Sequence, residues 1–330
     1  MKDGSHVLSS VISSQDEIHS LYGGIVPELA SRRHIETVIP VVEEALKQAS
    51  VTLDDIDAIG VTQGPGLVGS ILVGLSFAKA VAFATGKPFV GVNHIEAHPL
   101  AVFLDETGDG IDAPEFPYVA LVVSGGHTSL IKVESFTEFS VLGRTRDDAA
   151  GEAFDKAAKL LGLGYPGGAV IDRLAKEGNP KAIQFKRPII KKGNLEFSFS
   201  GLKTAVMLRV KAERSGCVTA RGDQEVALSG EFIRDLAASF QETVVDVLTK
   251  KALWALEATG ARDLVIAGGV ACNSRLRAKL AEAIGDNNTR FFAAPPRFCS
   301  DNAAMIALSG YHRLKAGERG ELDMNAYPSI

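Results

Sequence analysis

The sequence has few cysteines, no long apolar run and no excess of positive charge. Its 330 residues include only Cys217, Cys272 and Cys299, and none of them forms a CxxC pair. This excludes a cysteine-only zinc site and a disulfide framework, and it fits a reducing compartment. No apolar run reaches the roughly 18 residues of a membrane span, and the N-terminal MKDGSHVLSS has no signal-peptide core. We therefore expect a cytoplasmic protein that binds no membrane.

The charge balance is acidic, with a formal net charge of −5. Neutralising phosphates requires clustered Lys and Arg, so the balance excludes a protein that grips nucleic acid with its whole surface. Three local basic runs are present: Arg32-Arg33, Lys186 to Asn194, and Ser274 to Lys279. Taken alone, each run is interpreted as a solvated face.

The first third of the chain reads as alternating strands and helices, and the chain length predicts about two domains. HVLSSVISSQ is typical of a strand, and apolar residues recur at helical spacing over 32–49. IDAIGVT predicts a buried strand that runs into QGPGLVGS, after which SILVGLSFAKAVAFATG predicts an apolar helix. A strand, a glycine loop and a helix in this order indicate an α/β fold.

Two later strands also end in paired glycines. Gly125-Gly126 follows PYVALVVS, and Gly268-Gly269 follows RDLVIA. Glycines at a strand end let backbone N–H groups approach a phosphate or sugar, and ligands in open α/β sheets bind at the carboxyl ends of strands. With QGPG, these strand ends predict a ligand cleft shared by two related lobes. A mainly helical stretch covers 145–260, and a final helix is expected from about Asp301.

GVNHIEAHPLA places two histidines, His94 and His98, four positions apart. On an α-helix they share a face and would offer two imidazole nitrogens to one metal ion, although two surface histidines without a ligand are an open alternative. A metalloprotease helix reads H-E-x-x-H, whereas this segment reads H-I-E-A-H. Glu96 lies two residues beyond His94, about 200° around a helix, so it would face away from a metal held by the pair. This disfavours a metalloprotease.

Eight segments together resemble the bacterial TsaD family of tRNA threonylcarbamoyladenosine synthesis, formerly named O-sialoglycoprotein endopeptidases. They span nearly the whole chain, in this order: GGIVPELASRRH, TQGPGLVGSILVG, NHIEAH, LVVSGGHTSL, GEAFDKAAKLLGLGYPGG, FSFSGLKTAV, IAGGVACNSRLR and CSDNAAMIA. The resemblance implies the two-lobed actin-like ATPase superfold, with duplicated mixed sheets flanked by helices. We expect residues 1–115 with a C-terminal helix over 302–330 to form the first lobe. Residues 116–301 would form the second, with a helical insertion over 145–260.

The resemblance also implies the site residues. One divalent metal ion, Fe²⁺ or Zn²⁺, would be held by His94, His98 and Asp301. Lys203 is a further candidate, for a phosphate contact. An adenine nucleotide, either threonylcarbamoyl-AMP or ATP or ADP, would contact Val122, Val123, Ser124, Gly125, Gly126, Asp155, Gly168, Asp172 and Asn273.

The activity that the resemblance implies is transfer of the threonylcarbamoyl group from threonylcarbamoyl-AMP to N6 of adenosine 37. The acceptors would be tRNAs that read codons starting with A, and the products t6A and AMP. The metal would polarise the donor, with no protein nucleophile. The implied partners are tRNA, the paralogous subunit TsaB, the P-loop ATPase TsaE and a separate synthase that supplies the donor. A non-catalytic actin-like ATP-binding scaffold is the alternative from another class.

The sequence departs from the family at its beginning. Members start with a β-hairpin whose first strand carries an I-E-T-S-C-D-type motif, and HVLSSVISSQ resembles the second strand of that hairpin. We therefore expect the first strand to be lacking, which would leave an unpaired neighbour strand. The expected result is a less stable fold, completed by a partner or by dimerisation. The transferase assignment then describes the family's site, and the activity of the shortened chain is a separate question.

Overall fold

The computed structural model describes residues 1–22, 24–188, 191–216, 227–285 and 289–328. The chain divides into two compact units. The first unit comprises Met1–Tyr118, Val133–Ser140 and Phe292–Ile330, and the second comprises Val119–Lys132 and Val141–Phe291. This division groups residues 292–301 with the first unit, whereas the sequence-based boundaries placed them in the second lobe.

The first unit is built around a two-stranded parallel sheet. Its N-terminal elements are α1 (Asp16–Ser20), α2 (Pro27–Ala49), β1 (Ile59–Gly64), α3 (Val68–Thr85), β2 (Phe89–Asn93), α4 (His94–Ala97) and a 3₁₀ helix, His98–Phe103. Ile59 pairs with Phe89 and Thr62 with Val92. Helix α3 connects the two strands, and Gly86 ends it in the left-handed conformation (φ 70°) that glycine adopts readily. This confirms the predicted strand–helix–strand unit.

The second unit contains a five-stranded sheet covered by helices. Its elements are β3 (Tyr118–Val123), β4 (Thr128–Val133), β5 (Phe139–Arg144), α5 (Ala150–Leu161), α6 (Gly167–Ala175), α7 (Ser200–Gly216), α8 (Gly230–Thr259), β6 (Asp263–Ala267), a 3₁₀ helix Gly269–Cys272, α9 (Ser274–Ile284) and β7 (Arg290–Ala293). The strand order is β5-β4-β3-β6-β7. All six residues of β3 and all five of β6 are buried, as expected for central strands.

The chain returns to the first unit through α10 (Pro296–Cys299) and α11 (Ala303–Lys315). Helix α11 packs against β1 and β2. Gly310 permits this contact, because a Cβ added there would lie 3.1 Å from Cα of Gly60. The predicted helix near Asp301 is therefore present, and it covers the sheet that leads into the histidine pair.

The predicted strand HVLSSVISSQ is wrong. In this segment only His6 forms β-bridges, one with Lys2 and one with Asp105, and no described strand lies there. A strand needs a continuous ladder of backbone hydrogen bonds, and a composition typical of strands does not supply the partner segment.

Helices α2 and α3 present apolar side chains to solvent. Ile35 and Ile39 of α2 are 65% and 55% exposed, and Phe83 of α3 is 77% exposed. One helix among the described residues, Val68–Thr85, is long enough and apolar enough to cross a membrane, judged by length and composition alone. This corrects the expectation that no segment qualifies. Only 17% of this 18-residue segment is buried, although α3 packs against α2 and β1, and a single helix of this kind is weak evidence for a membrane span. The predicted absence of membrane binding stays a prediction.

Candidate metal centre and glycine-lined strand edge

The histidine pair begins where β2 ends. Asn93 caps α4, because its Oδ1 accepts hydrogen bonds from the backbone N–H groups of Ile95 (2.9 Å) and Glu96 (3.4 Å). The α-helical turn ends at Ala97, and a 3₁₀ helix follows from His98, with Pro99 as its second residue. The prediction placed both histidines on one face of an α-helix, whereas they lie on either side of a junction between an α-helical turn and a 3₁₀ helix. The His94 and His98 rings still lie close, with centroids 5.6 Å apart.

Asp301 joins the pair from the far end of the chain. It lies between α10 and α11, directly before Asn302, which caps α11 by accepting a bond from Met305 N–H (2.9 Å). Its Oδ1 lies 3.1 Å from Nε2 of His98, 203 residues earlier in the chain. One ligand atom from each of His94, His98 and Asp301 falls within 4.8 Å of the others. The structure thus brings the three predicted ligands together, and their metal binding stays a prediction.

The chemistry of these side chains fits a divalent metal. His98 is fully buried, and its Nδ1 has no hydrogen-bond partner within the described ranges. Burial lowers the pKa of His94, and the carboxylate of Asp301 opposes that shift. The lowered pKa favours the neutral imidazole, which is the form that binds metal. His94 also donates to the backbone carbonyl of Pro65, as metal-bound histidines commonly do with their second nitrogen.

Glu96 belongs to an ion pair and not to a protease motif. Its Oε2 accepts a 2.6 Å bond from Nη2 of Arg313, and its Oε1 lies 3.4 Å from Nδ2 of Asn93. Burial raises the pKa of this carboxyl. A carboxylate held by an arginine is unavailable as the general base that a zinc protease requires.

The two described cysteines lie outside the metal-ligand cluster. Cys299 is buried and its Sγ donates to the backbone carbonyl of Ala294 (3.3 Å), so it serves as a core residue. Cys272 is exposed at the end of the 3₁₀ helix that follows β6. Cys217 lies outside the described residues.

In the second unit, two glycine-rich strand ends are neighbours. β3 pairs in parallel with β6, and Val122 is opposite Ala267, so Gly125-Gly126 and Gly268-Gly269 follow adjacent strand ends. Gly268 has φ +92°, and a Cβ added there would lie 2.4 Å from the carbonyl oxygen of Val123. The two pairs of glycines therefore meet at the carboxyl edge of one sheet, and the predicted ligand cleft stays a prediction.

A third glycine, Gly151, completes this edge. A Cβ added at Gly151 would lie 2.5 Å from the carbonyl oxygen of Ser124 and 2.7 Å from Cα of Gly125. Sequence reasoning missed its role, although it stands in the motif GEAFDK on which the resemblance rests. Gly125 and Gly126 themselves are exposed and have nothing within 4 Å of an added Cβ. Their backbone is therefore open to a ligand.

The three polar side chains that were predicted to contact the nucleotide, Asp155, Asp172 and Asn273, all form hydrogen bonds within the second unit. Asp155 accepts from the N–H of Gly167 (2.7 Å), and burial raises its pKa. Asp172 accepts from the Ser274 hydroxyl (2.9 Å). Asn273 is buried: its Oδ1 caps α9 and its Nδ2 donates to Gln241. These side chains shape the loops around the strand edge, and their contact with a nucleotide stays a prediction.

The remaining predicted residues differ in their exposure. The side chains of Val122 and Val123 are fully buried, so only their backbone groups are positioned for a ligand. Ser124 accepts from His127 N–H (3.1 Å), which closes the glycine turn. Gly168 is in the first turn of α6 and has nothing within 4 Å of an added Cβ. Lys203 is exposed on α7.

The third glycine-rich strand end, QGPG, is covered by the C-terminal segment. Gly66 N–H donates to the carbonyl of Pro328 (3.0 Å), and the N–H of Tyr327 donates to the carbonyl of Gln63 (3.2 Å). A Cβ at Gly64 would lie 2.5 Å from the Tyr327 ring. These backbone groups are therefore used within the first unit and are not open to a ligand.

The fold and the strand edge define a class, the α/β proteins of the actin-like ATPase fold. Full-length HypF, in a crystal structure described as phosphate- and nucleotide-bound, matches with a TM-score of 0.55 at 14% identity, over 82% of this chain and 48% of that chain. HypF from T. kodakarensis matches with a TM-score of 0.55 at 13% identity, over 83% and 43%. At such low identity the likeness shows the fold alone.

The family follows from the sequence comparisons. The model of TsaD, tRNA N6-adenosine threonylcarbamoyltransferase, matches residues 6–308. A tRNA N6-adenosine threonylcarbamoyltransferase of Syntrophotalea carbinolica is 52% identical over 326 residues, covering 99% of this chain and 90% of the relative. One from Anaeromyxobacter dehalogenans (strain 2CP-1) is 53% identical over 330 residues, covering 100% and 94%. The chain therefore belongs to the TsaD family.

Proposed function

We propose that this chain transfers the threonylcarbamoyl group of threonylcarbamoyl-AMP to N6 of adenosine 37 in tRNA, forming t6A and releasing AMP. The acceptors are tRNAs that read codons starting with A. Membership of the family makes the chain a tRNA-modifying transferase. The structural observation that supports a metal-assisted transfer is the convergence of His94, His98 and Asp301 within 4.8 Å.

The first unit supplies the metal ligands. His94, His98 and Asp301 would hold one divalent ion, Fe²⁺ or Zn²⁺, and two imidazoles with one carboxylate leave coordination positions free. When bound, such an ion polarises a carbonyl oxygen and stabilises developing negative charge. The hydrogen bond of His94 to Pro65 and the burial of His98 fix how both rings are presented.

The second unit supplies the nucleotide edge. The backbone N–H groups of Gly125 and Gly126 are free to approach phosphate or carbamoyl oxygens, and ATP or ADP would fit the same edge as the adenylate. In this proposal the attacking group is the substrate's own N6 amine, and the reaction needs no protein nucleophile. The protein then accelerates the reaction mainly by holding two substrates in position.

The partners beyond tRNA are part of this proposal. A paralogous subunit, TsaB, and a P-loop ATPase, TsaE, would assemble with the chain in the cytoplasm, and a separate synthase would supply the donor. The exposed apolar side chains Ile35 and Ile39 of α2 and Phe83 of α3 support a protein partner, because large apolar side chains left in solvent favour burial against another surface.

The test is a transfer assay with purified chain, synthetic threonylcarbamoyl-AMP, unmodified tRNA and both partners, with the nucleosides read by mass spectrometry. His94→Ala/His98→Ala is the test variant. His34→Ala, which removes an exposed histidine of α2, is the control. Metal content is measured on each protein. We expect t6A and bound metal with the wild type and the control, and neither with the double variant.

The alternative, an ATP-binding scaffold, predicts a different result. It would bind adenine nucleotide but give no t6A with any variant, and loss of the histidines would leave nucleotide binding unchanged. That outcome would overturn the proposed transfer.

A further inference from the structure

Helix α7 exposes a row of cations in an acidic protein. Its 17 residues include four basic side chains and one acidic one, whereas the whole chain has a net charge of −5. Lys203, Met207 and Lys211 recur every four residues, so they form one row along the helix. All three are exposed, and Lys203 and Lys211 form no ion pair with any residue in the described ranges.

The inner face of α7 explains why this row points outward. Leu202, Val206 and Val210 also recur every four residues, and their side chains are buried. They anchor the helix, which packs against α5 and α8. Burial of this apolar row fixes the rotation of the helix, so the neighbouring row of Lys203, Met207 and Lys211 is held at the surface on a rigid element.

The basic run Ser274 to Lys279 does not provide such a surface. Arg275 makes a two-pronged contact with the Glu242 carboxylate, at 2.7 and 3.1 Å, and Lys279 lies 2.5 Å from the same group. Their charge is compensated inside the protein, so neither is available to an external anion.

The run Lys186 to Asn194 is partly compensated as well. Arg187 pairs with Asp246, and Lys192 lies 2.8 Å from Glu257. Among the described residues, Lys186 and Lys191 of that run form no ion pair either, and the α7 row differs from them in lying on one helix beside exposed apolar side chains.

The α7 row also carries apolar surface. Met207 is 44% exposed, and Leu208, beside the row, is 57% exposed. Attraction between charges alone would not involve these apolar side chains. The unstacked bases and riboses of a single-stranded RNA loop offer apolar faces between phosphates, which matches cations interleaved with apolar groups.

We propose that the exposed row Lys203, Met207 and Lys211, with the adjacent Leu208, binds the tRNA substrate. The lysines contact phosphates, and the apolar side chains contact unstacked bases. This inference rests on the proposed function for the identity of the RNA. Charge complementarity carries it, because a chain with excess negative charge needs a local uncompensated cationic surface to bind a polyanion.

The test is equilibrium binding of unmodified tRNA to the full chain over a series of salt concentrations, measured apart from the transfer assay. The test variant is Lys203→Gln/Lys211→Gln. The control is Arg209→Gln, because Arg209 is exposed on the same helix but lies about 200° around it from Lys211. Lys203→Arg/Lys211→Arg retains the charge. Thermal unfolding of all variants verifies that each one is folded.

We expect the double variant to bind tRNA about tenfold more weakly and to lower the salt slope by about two, one for each lost phosphate contact. The Arg209 control and the arginine variant should bind as the wild type does. The proposed α7 binding surface would be overturned if Arg209→Gln weakened tRNA binding as much as the double variant does, or if the double variant bound tRNA like the wild type. Loss of a protein partner with unchanged tRNA affinity would also overturn it.

The measurements distinguish failure of the proposed transfer from failure of the proposed tRNA-binding surface. A wild type that forms t6A while the double variant binds tRNA normally leaves the transferase intact and removes the α7 surface. A wild type that forms no t6A, yet binds tRNA through Lys203 and Lys211, removes the transferase and supports the surface.

Discussion

Oε2 of Glu96 accepts a 2.6 Å bond from Nη2 of Arg313, although 217 residues separate them in the chain. Glu96 is in α4, which begins with His94, and Arg313 is in α11, which begins two residues after Asp301. Arg313 also lies 3.0 Å from Glu318. The ion pair therefore ties together the two segments that provide the candidate metal ligands.

Replacing Glu96 tests this tie. We expect Glu96→Gln to lower the free energy of unfolding by about 1 kcal/mol, because Arg313 loses one of its two carboxylate partners and keeps Glu318. At saturating metal, t6A formation should persist, since Glu96 takes no part in the transfer. Denaturation and the transfer assay give the two readings. Complete loss of activity in a variant that still binds metal would contradict this role.

Gly268 is a position where an added methyl group has no room. We expect Gly268→Ala to lower the free energy of unfolding by about 2–4 kcal/mol, from the strain of φ +92° and the contact with the Val123 carbonyl. The neighbouring Gly269→Ala is the matched control, because nothing lies within 4 Å of a Cβ there. Calorimetry on both variants provides the comparison. Equal stability of the two would argue against the packed strand edge.

Glu242 should make stability sensitive to acid. Its hydrogen bonds with Arg275 and Lys279 lower its pKa to about 2, against 4.5 ordinarily. The folded state therefore holds this carboxylate unprotonated where the unfolded state binds a proton. Its contribution is present above pH 4.5 and is lost as the pH falls towards 2.

The measurement is unfolding between pH 2 and 6 for the wild type and Glu242→Gln. We expect the wild type to be more stable above pH 4.5 and the difference to shrink on acidification. Glu257→Gln is the control, since the Glu257–Lys192 pair is well exposed and such pairs contribute little. A pH-independent difference for Glu242→Gln would contradict the assignment.

Lys251 should make the stability of the protein depend on pH in the alkaline range. It is fully buried in α8, its Nζ donates to the carbonyls of Asn194 (2.9 Å) and Glu196, and it lies 5.5 Å from the centre of the Phe197 ring. Burial lowers its pKa to about 8, against 10.5 ordinarily. Between these values the unfolded state holds a proton that the folded state has released, so stability contributed by this group rises with pH.

Lys251→Met removes that group, and Lys250→Met removes an exposed neighbour instead. Between pH 8 and 10.5, stability of Lys251→Met should rise less than that of the wild type, while Lys250→Met should follow the wild type. Unfolding midpoints by circular dichroism give the comparison. Parallel curves for all three proteins would show that Lys251 does not titrate in this range.

Local sequence patterns predicted which segments are helices or strands better than they predicted what those segments pack against. The apolar period over 32–49 correctly indicated the helix α2, yet Ile35 and Ile39 of that helix are exposed. Periodicity reports that a chain is helical, but it does not say which neighbour covers the apolar face. The same reason explains the error at HVLSSVISSQ, whose composition is typical of a strand but which forms no continuous ladder with a described segment.

The candidate site required more than spacing. His94 and His98 were visible as a pair, but nothing local connects them to Asp301, 203 residues after His98. The family resemblance provided that link. The switch to a 3₁₀ helix at His98 and the contact of Gly151 with Ser124 depend on packing between distant segments, which a linear sequence does not display.

The first unit takes its last segment, Phe292–Ile330, from the end of the chain. During synthesis, all of the second unit leaves the ribosome before Asp301 does. His94 and His98 are therefore present on the nascent chain long before their third ligand and before α11, which covers their sheet. Under the proposed function, metal loading would therefore be a late step of biogenesis, because a truncated translation product carries the histidine pair without the carboxylate of Asp301.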